Sequence, residues 1–171
     1  GEFIWEQYQE AGIDITRDIY REAYVYSERF LAKNHVIEPT DTFHTLLRKK
    51  IAIHFDYLHN RFPEKHFSKE DAERIADGCY NKVKKTMETT CAVVKELSKQ
   101  YPLVLVTNFY GNMPVVLKEF NLSEYFKTIV ESSVVGLRKP DPALFALGVE
   151  ALGFEPHEIV VIGDSYRKDI Y

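Results

Sequence analysis

At 171 residues, 45% apolar and 28% charged, the chain has the composition of soluble globular material with length for one or two cores. A net charge of -4 with no basic stripe argues against a nucleic-acid partner, and no apolar run approaches the roughly 20 residues of a membrane span. The first residues do not form a signal peptide, and Cys79 and Cys91 are too few for a disulfide framework; both sit in helical patterns, as buried free thiols of a reducing cytoplasm would.

In chain order, the periodic signals before residue 100 are all helical. Ile4, Tyr8 and Ala11 recur at helical spacing, and Gly12 ends that element. Thr16 reads as an N-cap with Ile15 and Tyr20 as its hydrophobic staple, and Ile19, Ala23, Tyr26 and Phe30 form the stripe of a second helix. A third helix is predicted to open at Thr40 or Asp41 after Pro39. Its face carries Leu47, Ile51, Phe55 and Leu58, and Arg61-Phe62-Pro63 closes it. Ser68, with Asp71 three residues on, starts a fourth helix with Ala72, Ile75, Ala76, Cys79, Tyr80 and Val83 on its stripe. Thr90 to Lys99 reads as a further short helix.

After residue 100 the pattern becomes strand, helix, strand. Leu103-Val104-Leu105-Val106, Thr128-Ile129-Val130 and Ile159-Val160-Val161-Ile162 are short, β-rich and apolar without alternation, as parallel strands covered on both faces are. Met113, Val116, Leu117 and Phe120 make a helix face between the first two. Asp141 caps another helix, with Pro142 at its first position and Gly153 just past its end. The expected architecture is a helical domain over 1–86 followed by part of a doubly wound, parallel α/β sheet over 87–171.

Ligands of open α/β sheets bind at the carboxyl ends of the strands. There the first strand ends in Thr107-Asn108, the second is followed by Gly136-Leu137-Arg138-Lys139-Pro140-Asp141, and the third ends in Gly163-Asp164-Ser165. A hydroxyl and an amide, a cation and a carboxylate thus fall on one edge, the groups a phosphoryl-transfer site needs. The helix opening near Met113 is expected to aim free N–H groups at the same edge. Each residue also has a plainer reading: Asn108 as turn chemistry, Lys139 and Arg138 as solvated charges, Asp141 and Asp164 as helix caps, Asp169 as an exposed carboxylate. Their joint order favours the site. His35, His44, His54, His59 and His66 include no i, i+4 pair with an acidic partner and read as structural or surface histidines.

The segments VLVTN, GLRKPDP and VVIGDSYRKD resemble the second, third and fourth motifs of the haloacid dehalogenase-like hydrolases. The resemblance covers roughly residues 86 to 171, and the helical first half is similar in character to the α-helical cap of the C1-type members. It implies that Thr107 binds a non-bridging phosphoryl oxygen with Asn108 beside it, and that Lys139 neutralises the nucleophile and the phosphoryl charge. It further implies that Asp164 coordinates Mg²⁺, and that Asp169 ligates the metal or supports that site from one layer out. The reaction implied is hydrolysis of a small phosphate ester through an aspartyl-phosphate intermediate. A phosphomutase, a dehalogenase and a non-catalytic module on the same fold are the alternatives.

The chain departs from the family pattern at the first motif, D-x-D-x-T. Asp14-Ile15-Thr16 lacks a preceding apolar strand, and Ile51 to Asp56 is already explained as helix. The nucleophile is therefore expected upstream of Gly1, in a clipped or partial chain that by itself does not turn over a phosphate ester. The sheet is expected to lack the strand between 103–106 and 159–162, which leaves unpaired edges and exposed apolar surface.

Overall fold

The computed structural model describes residues 1–170. The chain divides into two compact units, Gly1–Glu88 and from Thr89 onward.

The first unit is helical. Helix α1 (Glu2–Glu10) ends at the Ala11-Gly12 turn, and α2 (Arg17–Asn34) starts from Thr16, whose hydroxyl accepts from Ile19 N–H at 3.4 Å. Helix α3 (Phe43–Arg61) is capped by Thr42, which accepts from Thr45 N–H at 3.1 Å, one or two residues later than the sequence suggests. Asp41 is unavailable as a cap because its carboxylate accepts from Glu38 N–H at 2.8 Å and from the Lys49 ammonium at 2.5 Å. Helix α4 (Lys69–Ser98) opens with reciprocal bonds between Ser68 and Asp71. It is one element of 30 residues, not a long helix followed by a short one. No Gly or Pro interrupts 80–98, so nothing stops propagation there. The expected stripes of α1, α3 and α4 converge on one core with Tyr8, Leu47, Ile51, Phe55, Leu58, Ile75, Ala76 and Cys79. Helix α2 is turned from its expected stripe: it buries Tyr20, Ala23, Ser27 and Leu31, while Tyr26 stands exposed with its ring against Phe30 and Tyr57.

The second unit carries the sheet. Strands β1 (Leu103–Thr107) and β2 (Phe126–Glu131) pair in parallel, with Leu105 opposite Ile129 and Thr107 opposite Glu131. Helix α5 (Met113–Glu119) makes the crossover and buries Met113, Val116 and Leu117. A four-residue turn of helix, α6 (Ser132–Val135), follows β2 in what the sequence presents as loop. Helix α7 (Pro142–Leu152) is bounded as expected, by the Asp141 carboxylate on Ala143 N–H at 2.9 Å and by Gly153 at φ +75°. It lies against the sheet at Gly148, where an added Cβ would come within 2.7 Å of Val106 Cγ2.

The expected third strand does not form. Residues 159–162 join no ladder, and Val160, Val161 and Ile162 are 84%, 54% and 85% exposed. A parallel strand exists only through its neighbour's hydrogen bonds, and among the described residues only β1 and β2 pair. No helix among the described residues is long and apolar enough to cross a membrane.

Candidate active site

The carboxyl ends of β1 and β2 bring the sequence candidates together, Asp164 excepted. Lys139 follows the α6 turn, and its side chain runs back to the end of β1. Its ammonium donates to Val106 C=O at 3.3 Å and to Asp169 Oδ1 at 2.7 Å. The pair is well covered, with the Lys139 side chain 16% exposed and that of Asp169 5%. The hydrogen bond from Lys139 holds the Asp169 carboxyl below its usual range, against the opposing effect of burial. Asp169 Oδ2 also accepts from Ser165 N–H at 3.0 Å, while Asp169 N–H donates to Ser165 C=O at 2.7 Å. Gly163 permits this fold-back, because a Cβ there would lie 2.4 Å from Asp169 Cβ.

Thr107 ends β1 half-buried, directly opposite Glu131. Asn108 follows it, and its amide turns to Lys139: Nδ2 donates to Lys139 C=O at 3.1 Å and Oδ1 accepts from Lys139 N–H at 2.8 Å. Asp164 stands on the preceding loop, exposed.

Two groups that sequence reasoning missed set the shape of the 108–113 loop. Ser132 Oγ accepts from Phe109 N–H at 3.1 Å and donates to Phe109 C=O at 3.3 Å. The buried Glu131 carboxylate accepts from Gly111 N–H at 2.5 Å, from Met113 N–H at 3.3 Å and from the Asn112 backbone. Burial raises the Glu131 pKa, and these backbone donors oppose the rise. The expectation that α5 offers free N–H groups to a phosphate is therefore overturned. A side-chain anion already occupies that helix start, favoured by the same unsatisfied donors and dipole. The signal in the sequence was a carboxylate and a hydroxyl ending an apolar strand run, Ile129-Val130-Glu131-Ser132.

Among the described residues no three acidic, histidine or cysteine side chains converge as a metal cluster. Mg²⁺ nevertheless keeps several waters and takes one or two carboxylates alongside substrate phosphate oxygens. An exposed carboxylate such as Asp164 fits that requirement, whereas both oxygens of Asp169 already accept hydrogen bonds.

The family model for haloacid dehalogenase-like hydrolases matches residues 2–171. The chain belongs to this family. It is 35% identical over 65 residues to haloacid dehalogenase-like hydrolase domain-containing protein 3 of Danio rerio, covering 38% of this chain and 27% of that protein. It is 39% identical over 49 residues to a phosphoserine phosphatase of Thermus thermophilus, covering 29% and 20%. With the 5-amino-6-(5-phospho-D-ribitylamino)uracil phosphatase YigB of Escherichia coli it shares 32% identity over 83 residues, 48% of this chain and 33% of that protein. The chain thus matches a third or less of the length of each of these relatives. A solved structure of the HAD-hydrolase YfnB from Bacillus subtilis, bound to magnesium, superposes with a TM-score of 0.54 at 18% identity over 98% of this chain and 72% of that one. That likeness supports the mixed α/β fold with its parallel sheet.

Proposed function

We propose that the chain is part of a Mg²⁺-dependent phosphatase acting on a small phosphate ester, with its phosphoryl-binding edge at Thr107 and Lys139 and its metal-binding carboxylate at Asp164 on the 163–169 loop. The observation that carries this reading is the Lys139 ammonium, fixed at the end of β1 by Val106 C=O and Asp169. An ammonium has three donors. Two are engaged among the described residues, so one remains for a phosphoryl oxygen at the sheet edge. The Asp169 carboxylate fixes the ammonium's position before substrate arrives, so no reorganisation is needed as charge develops.

In this reading the Thr107 hydroxyl donates to a second phosphoryl oxygen, and the half-buried strand end limits water around it. Mg²⁺, when bound, supplies Lewis-acid stabilisation of the phosphoryl charge, with Asp164 as the protein carboxylate that holds it. An attacking carboxylate of the kind the family resemblance implies is not among the groups that converge here. The phosphatase names of the relatives from Thermus thermophilus and Escherichia coli support the choice of reaction.

The test is hydrolysis of an aryl phosphate by the full-length protein. Replacing Lys139 by Ala is expected to lower kcat by about a thousandfold, the upper range for losing one preorganised charge-stabilising donor. Asp164→Asn is expected to abolish the Mg²⁺-dependent part of turnover. Wild-type-like rates in both variants refute the assignment.

A further inference from the structure

Asn108 follows the phosphate-binding candidate Thr107 and looks like a second substrate ligand. Its contacts say otherwise. Both ends of its amide are bonded to one residue, at 3.1 Å to Lys139 C=O and at 2.8 Å from Lys139 N–H. These two groups flank a single Cα, so the amide pairs with Lys139 as a neighbouring strand residue would and fixes the direction of its Cα–Cβ bond. The far end of the same side chain is held by Val106 C=O, on β1 two residues before Asn108. The end of β1 thus grips Lys139 at its backbone and at its ammonium. The Asn108 loop is itself tied to β2 through Ser132 and Glu131.

A lysine side chain is long and loses about 2 kcal/mol of rotamer entropy when fixed. Holding its root reduces the range the ammonium can sample before Asp169 and Val106 engage it. Aspartate lacks the donor for Lys139 C=O, serine is too short to reach both groups, and glutamine adds a methylene that displaces the pair.

We propose that the Asn108 side chain positions Lys139 and does not itself contact the substrate. The proposal rests on the phosphatase reading for its kinetic arm only. In the full-length protein, Asn108→Ala and Asn108→Asp are compared with wild type in two measurements. The first is the rate of reductive methylation of Lys139, followed by peptide mass spectrometry without substrate. A rise of about fivefold is expected in Asn108→Ala, the change in open population from losing one typical hydrogen bond. The second is aryl phosphate hydrolysis, where kcat should fall about tenfold to a hundredfold, as small misplacements of a catalytic group do, with KM nearly unchanged.

Unchanged Lys139 labelling in both variants overturns the proposal. So does a large rise in KM at constant kcat, which would place Asn108 on the substrate. If Asn108→Ala does not fold, Asn108→Asp decides the question through the same two readouts. If the wild type turns over no phosphate ester, the phosphatase reading fails while the labelling comparison still stands.

Discussion

The two units meet the same physical demand in opposite ways. In Gly1–Glu88, helical stripes three and four residues apart close on one another, and Tyr8, Ile51, Leu58 and Ala76 are fully buried. From Thr89 onward, a two-stranded sheet leaves β1 only half-buried along its length and Val160 to Ile162 exposed. Helices satisfy their backbone groups within one segment, whereas a strand depends on a neighbour. The helical unit has its own covered polar groups, with Lys50 paired to Glu28 and His54 against Tyr8, while the less enclosed sheet edge carries the candidate site. Stability and chemistry can therefore be perturbed separately.

In the helical core the largest effect on stability comes from truncating a fully buried side chain. Leu58→Ala removes a fully buried side chain and should destabilise the first unit by about 2–5 kcal/mol, read from chemical denaturation. If the units are energetically separate, Lys139 labelling in the second should stay at the wild-type rate under native conditions. A parallel rise would show that the two units unfold as one.

Gly163→Ala probes the other side of the comparison. The new Cβ cannot share space with Asp169 Cβ, so the 163–169 turn must shift and Asp169 must leave Lys139. On the proposed phosphatase reading, a fall of about a hundredfold in kcat of the full-length protein is expected, the scale of a 1 Å misplacement. Its melting temperature should change far less than that of Leu58→Ala, because the turn buries little apolar surface. A melting-temperature loss comparable to that of Leu58→Ala would contradict the separation.

What could be read from the sequence divides along the same line. Thr16, Ser68, Asp141 and Gly153 bound helices where expected, because each acts on hydrogen bonds within a few residues of itself. The placement of Lys139 and Thr107 at the end of β1 was legible because strand ends in a parallel sheet share an edge. The failures are long-range. Glu131 occupies the start of α5 from 18 to 20 residues away, which no local pattern reveals. Residues 159–162 have strand composition but no pairing neighbour, and composition cannot supply one. Asp41 is the local exception, a cap candidate whose carboxylate is taken by Glu38 N–H and Lys49, three and eight residues away.

A further effect in the same core comes from acid. His54 is fully buried in the helical core, with Nδ1 3.2 Å from the Tyr8 hydroxyl, and burial lowers its pKa to about 3. Between that value and the unfolded value near 6.5, the unfolded chain binds a proton that the folded chain excludes. Stability is therefore full above about pH 6.5 and falls as pH drops, by up to about 1.4 kcal/mol per unit. His54→Leu should flatten that slope in denaturation series at pH 4 to 7 (a range set by the shift from about 6.5). An unchanged slope would assign the acid sensitivity to other groups.

The smallest effect is that of a local cap, measured against a distant one. Thr16→Ala removes a single hydroxyl acceptor at 3.4 Å from an exposed helix start, where water can replace it, and should cost about 1 kcal/mol. Glu131→Ala strips acceptors from the Gly111, Asn112 and Met113 backbone inside the second unit, where water cannot follow so easily. Each buried donor left unmade costs about 1–3 kcal/mol, so this substitution should exceed Thr16→Ala even if neighbours relax. Equal losses in the two variants would mean that the α5 start is as solvated as that of α2. The loop carrying Asn108 would then owe its shape to Ser132 alone.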